Sequence, residues 1–293
     1  MPSVNVVNGK QIVVVDVGPV ERMVRFFAKP FRQMWHHRDL IQAILRREVA
    51  ERFKGSVAGW VWAVVAPLLA IAVYTLVFSS TVKLPEGYVV TKNENTSYAL
   101  FILSGIVVFN FWSEMAFRAP MLLHEYVHFI KQTIFPSDML AVISTLRATL
   151  YTVISIVVLL VFQFIVVGSL PWTVLLLPLI FIPFIAFLVG MSWFLCALGA
   201  FTRDAGYLMI NIVPLFMFAT PVFYAQTMLP APLDFWIYAN ALTGFVEVLR
   251  DIFLVGRLPN WTVYGYTLFI SAFSFYFGYW FFDRYRNVIV DVI

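Results

Sequence analysis

WTVLLLPLIFIPFIAFLVGMSWFLCALGAF, residues 172–201, holds no charged side chain in 30 positions. A helix needs about 20 apolar residues to cross a bilayer core. This run has length to spare, so it would tilt or protrude. Immediately before it, Gly168-Ser169-Leu170-Pro171 reads as a tight turn. Before that turn lies a second long apolar run, Met139–Val167, whose one charge is Arg147 near its start. Two long apolar helices joined by four turn residues form a membrane hairpin, and the rest of the chain agrees. Hydrophobic residues make up 61% of the 293 residues and charged residues 12%, against about 25% charged in a soluble domain. Mean hydropathy is +0.86. Too little polar surface is available to coat a soluble enzyme of this size, and disordered, collagenous and disulfide-scaffold classes are excluded with it. A membrane barrel is disfavoured because its strands would alternate polar and apolar residues.

Six spans are read: Val57–Phe78, Tyr98–Trp112, Met139–Val167, Trp172–Phe201, Tyr207–Tyr224 and Val263–Phe282. An even number puts both termini on one side. Counting Lys and Arg by loop gives 16 on the terminal side and 4 on the other, which makes both termini cytoplasmic. The basic N-terminal segment is explained by this rule rather than by nucleic-acid binding. The organisation is then a cytoplasmic segment 1–56, a membrane domain 57–282 and a cytoplasmic tail 283–293. No cleavable signal peptide is read, since the first strongly apolar run begins near residue 57. Cys196 is the single cysteine, so no intrachain disulfide forms.

Two segments are neither span nor plain loop. Residues 39–54 read as a helix at the membrane interface. Leu40, Ile41, Ile44, Leu45, Val49 and Phe53 give it an apolar side, with Arg46, Arg47 and Lys54 opposite. Glu48, Glu51 and Arg52 intrude on that apolar side, and an ordinary solvated helix is the plainer alternative. Residues 235–255 are moderately apolar but hold Glu247, Arg250 and Asp251, which a full crossing would bury at about 2.5–3.5 kcal/mol each. They read as a re-entrant helical hairpin on the outer side, broken near Ala241–Gly244, with Glu247 able to face Arg250 or Asp251 one turn on. A surface helix in a long loop is the alternative.

His124-Glu125-Tyr126-Val127-His128 matches H-E-x-x-H, which on a helix can hold zinc with the glutamate as general base. The match falls in the short loop between spans two and three, without a third ligand on that side, so the expectation is no metal and no catalytic residue. Leu103-Ser104-Gly105 echoes an ATPase signature but lies within a span. No G-x-x-x-x-G-K-[ST] loop is present, so ATP would have to be hydrolysed by another polypeptide. The spans lack mid-membrane charges, which argues against an ion-coupled carrier or channel; Arg147, near an end, would snorkel to the interface. Trp60, Trp62, Tyr74 and Phe78 in span one, Phe109 and Trp112 in span two, and Phe216, Phe223 and Tyr224 in span five form a candidate aromatic lining for a sugar chain. Interfacial belts and lipid-facing packing would produce the same composition.

In order along the chain come Arg46-Arg47-Glu48, Arg52-Phe53-Lys54-Gly55-Ser56, Gly59-Trp60-Val61-Trp62-Ala63, Leu103-Ser104-Gly105-Ile106, Phe109-Asn110-Phe111-Trp112, Phe135-Pro136, Thr202-Arg203-Asp204, Thr220-Pro221-Val222-Phe223-Tyr224 and Leu249-Arg250-Asp251. This series, across residues 37–286, resembles the permease subunits of ABC transporters that export O-antigen, capsular polysaccharide and teichoic acid. Thr202 stands where that family often has an aromatic, and Asn240-Ala241 where it often has Asn-Pro. The resemblance implies an all-α, multi-pass protein of the bacterial plasma (inner) membrane that is not itself an enzyme. It implies a homodimer with two copies of an ABC ATPase, which carries the ATP and Mg, while this chain holds no cofactor. His124, Glu125, His128, Lys131, Phe135 and Pro136, with Arg203 and Asp204, would contact the ATPase. The helix carrying Arg46, Arg47, Glu48, Arg52 and Lys54 would lie beside it. The cargo would be a lipid-linked polysaccharide passing an aromatic-lined path, with an exporter of drugs or lipids as the alternative.

Overall fold

The computed structural model describes residues 3–7, 10–14, 19–52, 54–57, 59–78, 84, 86–91, 94–132, 136–230 and 237–292. They form two units, Met1–Gln42 and Ala43–Ile293. In the first unit, β1 (Ser3–Val7) pairs antiparallel with β2 (Lys10–Val14), Ser3 opposite Val14 and Val7 opposite Lys10. This hairpin departs from the all-helical expectation. The β-branched residues Val4, Val6 and Val7 in one strand and Ile12, Val13 and Val14 in the other favour it, since such side chains fit a pleated backbone. Helix α1 (Pro19–His36) follows and passes through His37 into α2 (Arg38–Glu51).

The second unit is helical among its described residues. Helices α3 (Val61–Phe78), α4 (Glu94–Arg118), α7 (Asp138–Val167), α8 (Leu177–Phe201), α9 (Asp204–Ala219) and α11 (Trp261–Val292) fall on the six apolar runs. Short helices α5 (Leu122–Glu125) and α6 (Val127–Gln132) lie between α4 and α7. Helix α10 (Ala241–Arg250), continued by a π turn at Asp251–Val255, precedes α11. Three stretches, Thr96–Glu125, Asp138–Val167 and Trp172–Phe201, are long and apolar enough to cross a membrane.

Several boundaries differ from the sequence reading. The second run extends in both directions, from Glu94 to Arg118. The fifth helix stops at Ala219 instead of reaching Tyr224, because Thr220 precedes Pro221 and is held extended at ψ 138°. Helix α11 runs ten residues past the expected end at Phe282. The helix over 39–54 ends at Glu51.

Helix α4 is the axis of the packing. In its most apolar stretch 83% of residues are buried, against 22% in α7 and 33% in 172–201. Leu100, Phe101, Ile102 and Leu103, four successive buried residues, make it apolar all round, which only a helix surrounded by others tolerates. A close crossing joins α8 and α11. A Cβ at Gly278 would lie 1.9 Å from the Gly190 carbonyl oxygen, so both positions are glycine for backbone approach. Ser274 donates from Oγ to the Phe187 carbonyl at 2.9 Å in the same crossing. At one end of this unit Arg286 of α11 pairs with the buried Asp138 of α7 at 2.8 Å. At the other, the π turn's carbonyls at Ile252 and Phe253 accept from Thr173 Oγ1 (2.6 Å) and Gln163 Nε2 (2.8 Å). Outward faces of α3, α7 and α9 remain apolar, with Leu76, Ile165, Leu215 and Phe218 all exposed.

Candidate functional site

Glu48 is the acidic residue that spoils the apolar side of α2, and the structure buries it. Its side chain is 4% exposed. Arg118, at the end of α4, approaches one carboxylate oxygen at 3.1 Å, and Arg147 of α7 approaches the other at 3.5 Å. The Tyr126 hydroxyl donates to the same carboxylate. A second carboxylate, Glu114 of α4, accepts from Arg147 at 3.1 Å and from Arg52 at 2.9 Å. The result is one ion-pair node joining α2, α4, α7 and the Tyr126 turn, bordering a cleft of about 470 Å³. Arg147 therefore does not snorkel outward; it is 14% exposed and faces two carboxylates. Burial, then the bond to Glu48, pushes the Tyr126 phenol up to about 12. Burial also pushes the Glu125 carboxyl upward, against the attraction of Arg118 at 3.5 Å.

The segment between α4 and α7 does not carry H-E-x-x-H on one helix face. Tyr126, at φ −109° and ψ 15°, breaks the helix between the two histidines. His124 Nε2 lies 3.1 Å from the Gly199 carbonyl oxygen, while His128 is exposed in α6. Among the described residues no three His, Cys, Asp or Glu side chains cluster as metal ligands. Exposed on this segment are Met121, Glu125, His128, Phe129 and Lys131. Pro136 is half-buried and Phe135 lies outside the described residues. Arg203 and Asp204 are exposed at the start of α9. Arg46 and Lys54 are exposed, and the Arg47 guanidinium stacks 5.3 Å over the Phe129 ring. Met121 and Phe129 were not selected from the sequence; exposed large apolar residues inside a polar loop are the signal that could have found them.

The aromatic set is partly brought together. Trp112 stacks on Phe216 at 5.3 Å and lies 5.6 Å from Phe109. Tyr74 meets Phe223 at 6.5 Å, and the Tyr224 hydroxyl donates to the Phe218 carbonyl at 3.1 Å. Phe109 and Trp112 are buried within the chain, so they support Phe216 instead of presenting a free surface. Trp60 and Trp62 are half-exposed on the entry to α3, and the Phe78 side chain lies outside the described residues. A cavity of about 350 Å³ opens between α3, α4 and α7, apolar along Ala66, Ile71 and Leu103 and polar at Asn110, Glu114 and Arg52.

At the opposite end of the unit, Arg250 is 1% exposed. It does not pair with Glu247. Its Nη2 donates to the carbonyls of Val222 at 2.8 Å and Phe101 at 3.3 Å, and its guanidinium lies 3.5 Å over the Phe101 ring. Gly105 leaves the space it needs, since a Cβ there would sit 3.0 Å from Nη2. Asp251 instead binds Arg257 at 2.6 Å. Glu247 accepts from the Tyr238 hydroxyl at 3.0 Å. The helix break in this segment falls at Asn240, which caps α10 by accepting from Leu242 N at 3.0 Å and donates to Thr220 Oγ1 at 2.7 Å. Arg250 and Asn240 together fasten α10 to the end of α9.

Residues 39–254 match the family described as ABC-2 type transporter. A protein of Klebsiella pneumoniae named O-antigen export system permease protein RfbA is 27% identical over 222 residues, covering 75% of this chain and 82% of that one. Its namesake from Myxococcus xanthus is 23% identical over 232 residues, covering 78% and 85%.

Proposed function

Starting from the fact that the chain belongs to the ABC-2 type transporter family, we propose that it is the permease subunit of an ATP-driven exporter of a lipid-linked polysaccharide of the O-antigen type. The observation that carries the reading is similarity over three quarters of the chain to proteins named for O-antigen export. The six long helices act as six spans in the bacterial inner membrane, with both termini in the cytoplasm. The loop charge bias supports that orientation. The segment read over 235–255 is the outer re-entrant one, and the carbonyl pairing of Arg250 supports it, because charge at such depth needs internal partners. Two copies work with two ATPase subunits, which bind ATP and Mg.

The exposed side chains of segment 121–131, Met121, Glu125, His128, Phe129 and Lys131, dock on the ATPase with Arg203 and Asp204. Movement of that segment reaches the spans through Tyr126 and Glu48, which touch α2, α4 and α7 at once. The half-buried aromatics Phe216, Phe223 and Tyr224 line the path, where flat rings offer sugar faces contact without strong hydrogen bonds. Deleting the gene should leave polymer lipid-linked inside the cell and absent from the surface, and the tagged chain should retain an ABC ATPase on purification. Normal surface polymer in the deletion strain, with accumulation of another amphiphile, would overturn the assignment.

A further inference from the structure

Helix α1 lies outside the family match, which begins at residue 39. Its 18 residues are divided by chemistry with little mixing. At 100° per residue, Glu21, Arg25, Lys29, Arg32, Gln33 and His36 fall in one sector of about 120°. Val24, Phe26, Phe27, Phe31, Met34 and Trp35 occupy the remainder. Val24 is 59% exposed, Phe31 56% and Trp35 72%. Pro30 removes one backbone hydrogen bond from the helix interior, so α1 needs support beyond intrinsic propensity.

We propose that α1 is a membrane-surface anchor that lays its Val24–Phe31–Trp35 face into a leaflet rich in anionic lipid, with Arg25, Lys29 and Arg32 reaching the phosphates. The occupant is argued from charge and connection. A basic polar face opposite Phe and Trp is the composition that favours an anionic interface. The chain also runs from His36 through α2 to the first long apolar helix at Val61 within 25 residues, so α1 is tethered close to whatever bilayer that helix enters. A tether of this kind raises the effective concentration of the surface and lets a short helix dock that would bind weakly alone. The proposal rests on the membrane reading of the chain, not on its cargo.

The test uses the full chain in nanodiscs, with spin labels at Val24→Cys, Phe31→Cys and His36→Cys; native Cys196 is buried. With phosphatidylglycerol present, labels at 24 and 31 should collide more with oxygen than with an aqueous nickel chelate, and the label at 36 should show the reverse. Replacing Arg25, Lys29 and Arg32 by Gln should lower the docked-to-free ratio by about a hundredfold, roughly fivefold per charge. Raising the salt concentration on the unsubstituted helix should move the ratio the same way, which covers the case in which the triple variant misfolds. Equal nickel access at all three positions would overturn the proposal. So would protection that is the same in purely zwitterionic discs, or that appears only when an ATPase or a second copy is present. Failure of the chain to enter nanodiscs would instead strike the membrane reading.

Discussion

Removing a carboxylate from water costs several kcal/mol, and Glu48 recovers that cost only because two guanidiniums and a phenol converge on it. Glu48→Gln should therefore lower stability by about 3–5 kcal/mol, by leaving Arg118 and Arg147 facing a neutral amide. Thermal unfolding in detergent would register it, and an unchanged midpoint would mean the node is wetter than the structure has it. Tyr126 adds a pH signature. Its native phenol titrates at about 12 against about 10 in an unfolded chain, so the native state holds that proton longer. Stability from this group is complete below pH 10 and falls as pH rises toward 12. The difference between wild type and Tyr126→Phe should be flat to pH 10 and then shift against the wild type. Arg250 makes a contrasting case, a buried charge answered by carbonyl dipoles and a ring. Arg250→Lys keeps the charge but loses the flat guanidinium stacked over Phe101, and should cost about 1–3 kcal/mol. Proteolysis at the α9–α10 junction should then quicken; an unaltered digestion rate would show that Asn240 alone suffices there.

Helices meet where side chains permit, and the α8–α11 crossing permits only glycine. Gly278→Val would drive a branched side chain into the Gly190 backbone, so the helices must separate and the protein should fail to accumulate folded in membranes. Gly265→Ala on the same helix meets nothing within 4 Å and should be neutral or stabilising by about 0.4–1 kcal/mol. Comparing yields of monodisperse protein from the two variants separates crossing geometry from mere helix propensity. At this scale much was legible. The six apolar runs coincide with α3, α4, α7, α8, α9 and α11, because composition over 20 residues is a strong signal. Ends were less so: Thr220 is turned extended by Pro221, and a window average does not register one proline. The β1–β2 hairpin was missed although both strands are rich in β-branched residues, Val4, Val6 and Val7 in one and Ile12, Val13 and Val14 in the other. The misfit of Glu48 and Glu51 on the apolar side of α2 was visible, but its meaning was not. The partners Arg118 and Arg147 lie 70 and 99 positions away, and no periodicity links them.

For the molecule as a whole, the two ends of the second unit are built differently, and that difference makes a prediction. The α10 end is fastened by Arg250 and by the bond from Asn240 to Thr220. At the α2 end a buried node lies directly beneath an exposed apolar and basic surface, with Met121 at 42% and Phe129 at 46% exposure beside His128 and Lys131. If that surface receives the ATPase and the node passes its motion inward, the two should fail separately. Phe129→Ala with Lys131→Glu should weaken ATPase retention by about tenfold or more while leaving the melting temperature close to wild type, since truncating an exposed anchor removes docking and little packing. Arg147→Lys should show the converse. It keeps a positive charge beside Glu48 and Glu114 but cannot bridge both carboxylates with one planar fork, so the ATPase should remain bound while export per ATP hydrolysed falls. Reconstituted complexes carrying each variant would be scored for subunit retention, ATP turnover and polymer delivered. Loss of retention in Arg147→Lys, or intact retention in the surface variant, would mean that docking and transmission are not divided between surface and node in this way.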